Sequence, residues 1–423
     1  MRNRIIRYTL AIALALVVSS PARPVGVSAP QQAGRLKQVG GILFVHLQGD
    51  PYQMGLQQGA LLRTQLHSLV QDYLYRYLIA DSGASHFWLL SQARLLDREL
   101  PESLRQEMAG IANGSGLSYQ DVLLLNVVPD LLFLARKAPS WDLFPMLFSS
   151  ANRATPLAWS SLGTAFAGWG RATVGGELLI GHQLDCAESA LLQHYLVLIV
   201  RQPSAGNALV SLGLAGTVGV WTGMSEQRVI VALSSSPSAD VAGHGQPLPL
   251  LLRQVLQNSG DLGQAVNLLL STERLYGGNV ILGDGKTPQG IVLELSAHRH
   301  ALFEMNVADD LLLRTNHFLD TELALAQRLV LSPEEVAASE MRLKRLQDML
   351  EPNRGWIGAE KALAILGNPD RVPVSGSEGG GTLQTVLLNA GQLTLWIAEN
   401  NPGAATATSY SRLDLAAELL ESH

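Results

Sequence analysis

The 423-residue chain reads as a layered α+β protein in which antiparallel sheets are covered by helices. Three observations lead there. Residues up to about 125 carry apolar positions at helical spacing, residues from about 165 to 233 break into short β-like runs divided by turn residues, and the two patterns then alternate. With 47% hydrophobic and 16% charged residues the chain can bury a large core, and 40 Gly and 19 Pro without a collagen-like period mark many turns rather than a fibre.

The elements follow in order. Residues 40–46 predict a short strand and 51–66 a helix, and 95–111 have the mixed period of a surface helix with Pro101 near its start. Residues 127–160 are apolar, contain proline and lack a pattern, which predicts loop with helical pieces. Strands are expected over 165–173, 178–182, 195–200, 208–212 and 229–233, then one helix over 249–270. Further strands are expected at 279–282, 290–295, 301–305 and 311–315, helices over 321–331 and 333–350, and closing strands at 382–388 and 392–398.

The amino terminus has the order of a secretory signal. Arg2, Arg4 and Arg7 precede an apolar run from Tyr8 to Val18, followed by small residues up to Ala22 and again at Val27-Ser28-Ala29. That run is well short of the roughly 20 residues that span a bilayer, so residues 1–29 are expected to be cleaved. The expectation is a periplasmic or secreted protein with no stable membrane span after cleavage. A formal net charge of −6 and no run of five Lys or Arg exclude a phosphate-tracking surface, so no nucleic-acid partner is expected. One cysteine, Cys186, excludes intramolecular disulfides and thiolate metal clusters.

Polar and glycine residues interrupt the β-like segments at three places. The first is Gly163-Thr164-Ala165-Phe166-Ala167-Gly168-Trp169-Gly170, with Gly181-His182-Gln183-Leu184-Asp185 shortly after. The second is Gly223-Met224-Ser225-Glu226, leading to Ser234-Ser235-Ser236-Pro237; the third is Gly277-Gly278-Asn279, followed by Thr315-Asn316-His317-Phe318. Earlier come Pro51-Tyr52-Gln53-Met54-Gly55, Gln58-Gly59 and Gly110-Ile111-Ala112-Asn113-Gly114-Ser115-Gly116.

In this order, across nearly the whole mature chain, these motifs resemble the autoproteolytic acyltransferase and hydrolase family typified by isopenicillin N acyltransferase. The resemblance implies a four-layer αββα sandwich of the N-terminal-nucleophile class. It divides the chain into a mainly helical segment 30–163, a possible propeptide or α-chain, and a core 164–423, a possible β-chain. It implies a precursor that cuts itself before a Cys, whose freed amine then serves as its own base, and acyl substrates that are small amides, esters or peptide-like molecules. An amine with a pKa near 8 can take the proton of the attacking group, and amide donors can hold the developing oxyanion. Carried over, Asp185 matches the Asp of the family's Gly-Arg-Asn-x-Asp segment, Asn279 is the expected oxyanion donor, and Asn316 and His317 are expected to support the site.

The chain departs from the family at the nucleophile. The position of the family's Cys is Gly163, Gln183 replaces the Asn, and Ser234 stands where Asn is common. Thr164, one residue on, supplies a hydroxyl after a glycine, the pairing an N→O acyl shift requires. Ser160 and Ser161 are the other candidate hydroxyls. Two readings stay open: an amidohydrolase or acyltransferase using Thr164, Asp185 and Asn279, or an inactive relative that binds an acylated or peptide-like ligand. A Ser/His hydrolase lacks a Gly-x-Ser-x-Gly elbow.

Cys186 and His182 alternate onto one strand face but lie about 13 Å apart along it, too far to pair. His298 and His300, near Glu294 and Glu304, lack a His-Glu-x-x-His pattern, and no metal or other cofactor is expected. The run Glu378-Gly379-Gly380-Gly381 has no Lys to reach a phosphate, and Arg412 is a possible cation near the site.

Overall fold

The computed structural model describes residues 34–39, 41–135, 163–186, 188–304, 310–368, 381–399 and 409–421, all within one compact unit, residues 33–423. The expected signal segment, most of 127–160 with Ser160 and Ser161, and residues 378–380 lie outside the described residues.

The chain opens with β1 (Arg35–Val39), β2 (Ile42–Gly49), α1 (Pro51–Leu61), α2 (Arg63–Leu69), which continues helically to Asp81, α3 (His86–Asp97), α4 (Glu102–Ser115) and α5 (Tyr119–Ala135). Asp50 caps α1 by accepting from the Gln53 amide, and Gln53 answers onto the Asp50 amide, a capping box that fixes the helix start beside β2. The glycines of the early motifs are packing devices. A Cβ at Gly55 would overlap the Glu107 carbonyl, and one at Gly110 would overlap the Tyr52 carbonyl, so α1 and α4 meet backbone to backbone. Glu107 then ties α4 to the sheet below, accepting from Arg201 Nε at 2.7 Å with both side chains buried.

The core elements are β3 (Thr164–Gly168), β4 (Leu179–Cys186), α6 (Ser189–Leu192), β5 (Leu196–Pro203), β6 (Leu209–Leu214), β7 (Thr222–Ser225), β8 (Val229–Ser235), α7 (Leu248–Asn258), α8 (Leu262–Ser271), β9 (Gly278–Asp284), β10 (Gln289–Leu295) and β11 (His300–Glu304). They continue with β12 (Leu311–Arg314), α9 (Thr321–Gln327), α10 (Pro333–Leu350), α11 (Ala359–Leu366), β13 (Gly381–Asn389), β14 (Thr394–Ala398), β15 (Tyr410–Asp414) and α12 (Leu415–Leu420). Nine strands form one sheet in the order β1-β2-β5-β6-β7-β8-β9-β10-β11, and six form the other, β12-β3-β4-β13-β14-β15. Only the β2–β5 pairing among the described strands is parallel.

The sheets face each other where β3 and β4 meet β8 and β9. α1, α7 and α8 cover the outside of the larger sheet, while α10 and α11 cover the smaller one. This is a four-layer αββα sandwich, as the resemblance implied. Local differences have local causes. The strand expected over 165–173 ends at Gly168, because Gly170 turns the chain at φ 53°. The single helix expected over 249–270 is two, divided around Ser259 and Gly260 and restarted by the Asp261 cap. The stretch 119–135 is helical despite Pro129, and 222–225 and 359–366 are an unforeseen strand and helix.

Candidate functional site

The site is built at the start of β3. Antiparallel register sets Thr164 opposite Gln183 and Ala165 opposite His182 on β4. Alternation then sends Ala165, Leu184 and Cys186 into the core between the sheets, and Phe166 into a second core with Leu346, Leu350 and Leu366 of the covering helices. Gly163 and His182 therefore face the other sheet, whereas Thr164 and Asp185 face α10.

On the helix side a buried polar group assembles around Arg342 of α10. Its Nη2 donates to Asn316 Oδ1 at 2.8 Å; its Nη1 stands 3.5 Å from Thr164 Oγ1 and 3.8 Å from Asp185 Oδ2. Asp185 accepts a 2.6 Å hydrogen bond from the Thr382 hydroxyl, and both are buried. Thr164 itself is 6% exposed. Asn316 spans the site: its amide group donates to the Ser235 carbonyl at 2.7 Å, and its backbone N–H donates to Ser339 Oγ. His317 Nδ1 lies 2.8 Å from the same hydroxyl, and burial beside the Arg314 and Arg342 charges holds its pKa down at about 4, so the ring is neutral.

On the inter-sheet side stand Asn279 and Ser234, paired across β8 and β9. The Asn279 amide donates to the Thr315 and His317 carbonyls at 2.9 and 2.8 Å, so both its hydrogens are engaged, and its oxygen has no hydrogen-bond partner. The Ser234 hydroxyl also has none. Neither ring nitrogen of fully buried His182 has a partner of good geometry; the Leu233 backbone lies near it but offsets little, and burial depresses its pKa to about 3. Gly163 sits under this ring at φ 99°, and a Cβ there would overlap Nε2 of His182 and come within 2.8 Å of the Gln183 carbonyl oxygen.

The structure thus brings Thr164, Asp185 and Asn316 onto one cation and groups Gly163, His182, Asn279 and Ser234 on the opposite face. Ser339, Arg342 and Thr382 were not foreseen. Ser339 and Arg342 share a face of α10 at i, i+3, buried in an otherwise polar helix, and that signal was present in the sequence. Arg412, the cation anticipated near the site, lies exposed on β15 and contacts Thr394 at 3.4 Å. Cys186 is buried with its thiol pushed well above its usual pKa by burial, and His298 meets Asp240 at 2.6 Å. No group of three His, Cys, Asp or Glu is placed to hold a metal ion among the described residues.

The four-layer αββα sandwich is the architecture of the N-terminal-nucleophile hydrolases. Residues 172–404 match the model of the acyl-coenzyme A:6-aminopenicillanic acid acyl-transferase family, and the chain belongs to that family. An uncharacterized protein of Archaeoglobus fulgidus is 27% identical over 405 residues, 84% of this chain and 63% of that protein. Protein dcd1A of Dictyostelium discoideum is 25% identical over 309 residues, 64% of this chain and 63% of that protein. The chain thus spans less than two thirds of the length of these curated relatives. Among solved structures, the Caenorhabditis elegans N-acylethanolamine-hydrolyzing acid amidase ortholog aligns with a TM-score of 0.40 and 18% identity, covering 59% of this chain and 99% of that one. A variant of conjugated bile acid hydrolase from Clostridium perfringens aligns with a TM-score of 0.41 and 13% identity, covering 60% and 93%.

Proposed function

We propose that the protein is an exported amidohydrolase or acyltransferase in which Thr164 is the nucleophile. The observation that carries this reading is that the Thr164 hydroxyl and the Asp185 carboxylate share one guanidinium, Nη1 of Arg342, in a buried setting. In maturation, Thr164 Oγ attacks the Gly163 carbonyl carbon, the C–N bond breaks and the nitrogen takes the hydroxyl proton, which frees the Thr164 amine; water then hydrolyses the resulting ester, releasing the Gly163 carboxylate and restoring the Thr164 hydroxyl. Gly163 occupies a backbone region that only glycine visits readily, so the residue before the scissile bond can take angles that other residues could not. In turnover the freed amine accepts the Oγ proton as Oγ attacks an acyl carbon. The departing group takes that proton, and water or an acceptor amine resolves the acyl ester. Arg342 neutralises developing charge, and Asp185 holds the cation in place. The substrates are small amides, esters or peptide-like acyl compounds, met in a periplasm or outside the cell.

A second reading has its own observation. Gly163 stands at the position of the family's Cys, and His182 fills the space beside it, which favours an inactive relative that binds an acyl ligand. Intact mass under denaturing conditions with amino-terminal sequencing separates the two. Fragments beginning at Thr164 in the wild type and an uncut chain in Thr164→Ala support the enzyme; an uncut wild-type chain removes it.

A further inference from the structure

Helix α3 is anchored on one side and open on the other. Leu89, Ala93 and Leu96 bury it in the core, where it packs on α5, and Ser85 caps its start by accepting from the Trp88 amide. At about 100° per residue, Phe87, Ser91, Arg94, Leu95 and the following Arg98 fall within one outward arc of about 100°. Phe87 is 85% exposed and Leu95 53%, with half-buried Trp88 and Leu90 on the shoulders of the arc.

The charges on that arc are of one sign. Arg94 and Arg98 are exposed, and neither forms an ion pair or a side-chain hydrogen bond among the described residues. Ser91 turns its hydroxyl back onto the Trp88 carbonyl at 2.7 Å. The carboxylate of α3, Asp97, lies off the arc and accepts from the Tyr119 hydroxyl at 2.6 Å. Glu99 follows beyond the helix end, outside the arc, and Glu102 pairs with Arg105. A water-facing helix surface ordinarily mixes charges of both signs, whereas this one sets cations alone among projecting apolar side chains. At 12 residues α3 is too short to span a bilayer, and no helix among the described residues is long and apolar enough to do so.

We infer that α3 docks the protein on an anionic phospholipid surface, with Phe87 and Leu95 entering the acyl boundary and Arg94 and Arg98 on the phosphates. The arginine stems lie along their apolar neighbours while the guanidinium groups reach the headgroups. A formal net charge of −6 repels the rest of the molecule from such a membrane, so the arc also sets which way the protein faces. The outer face of a single helix is convex and offers a protein partner no groove. A second copy docked on the same face would set arginines against arginines. The surface stands whether or not Thr164 is a nucleophile.

Flotation of the full mature chain with large unilamellar vesicles tests this, comparing phosphatidylcholine alone with an equal mixture of phosphatidylcholine and phosphatidylglycerol at low salt. The wild type is expected to bind the anionic vesicles at least about tenfold more tightly, and added salt should lessen the preference. Arg94→Gln/Arg98→Gln should erase the preference, and Phe87→Ser/Leu95→Ser should weaken binding to the anionic vesicles by about tenfold. The charge-matched control Arg328→Gln/Lys361→Gln, on exposed positions after α9 and on α11, should bind as the wild type does. Equal binding to the two vesicles, no binding, a preference that survives loss of Arg94 and Arg98, binding indifferent to Phe87 and Leu95, or an equal loss in the control overturns the inference. Self-association that Phe87→Ser abolishes, without vesicle binding, assigns the arc to a second copy and overturns it as well.

Discussion

Gly163 lies directly beneath His182, with no room for a Cβ between the backbone and Nε2 of the ring. The space that a side chain at Gly163 would need is filled from the neighbouring strand. Because Gly163 also has φ 99° and a close backbone oxygen at Gln183, moving His182 alone does not make room. Gly163→Ala should destabilise the protein by about 2–3 kcal/mol, and adding His182→Ala should recover only part of that loss. Urea midpoints of the single and double variants measure it.

Arg342 is the residue on which the helix-side cluster depends. Removing it takes away the 2.8 Å donor of Asn316 Oδ1 and the guanidinium that stands 3.8 Å from buried Asp185. Arg342→Met, which keeps much of the stem, is expected to cost about 3 kcal/mol, most of it from the guanidinium lost beside the buried carboxylate. The double variant Arg342→Met/Asp185→Asn should be more stable than Arg342→Met alone. Chemical denaturation of the three proteins at pH 7 tests the coupling.

The pH dependence of stability has two opposed contributions. His182 and His317 have folded pKa values lowered to about 3 and about 4 from 6.5, so the unfolded chain binds their protons first and stability is lost as pH falls below 6.5. Asp130 and Glu188 are raised to about 7 from 3.8 and 4.5, so the stability of their neutral forms is present at low pH and is lost as pH rises through 7. Asp130→Asn should therefore flatten the decline between about pH 4 and 7, and His182→Leu should flatten the acid limb between about pH 3 and 6.5. Thermal melts across that range, with the curves of the two variants exchanged in shape, would contradict the assignment.

The α1–α4 contact should be the least tolerant place in the helical segment. Gly110→Val sets a branched side chain onto the Tyr52 carbonyl, where backbone rather than a mobile side-chain tip must give way. A loss of about 4 kcal/mol or failure to fold is expected, against less than about 1 kcal/mol for Gly263→Ala on α8, whose nearest neighbour is 3.4 Å away. Expression and calorimetry of the two variants compare them.

Taken by itself, the sequence determined the alternation of helices and strands, the layered α+β class, and the glycine and polar motifs that carried the family. These depend on period, turn chemistry and composition, which are local properties. Through the resemblance it also put forward Thr164, Asp185 and Asn279, with Gly163, Ser234, Asn316 and His317, as the residues of one site. Tertiary structure alone decided which faces they occupy. Strand alternation and the β3–β4 register turn Thr164 and Asp185 toward α10 and Gly163 and His182 toward β8 and β9. It also brought Arg342 of α10 and Thr382 of β13, some 180 and 200 residues further along, to Thr164 and Asp185. No period within a window connects them; only the packing of a covering helix and the pairing of β4 with β13 do, and those are fixed by the burial of side chains distant in the chain.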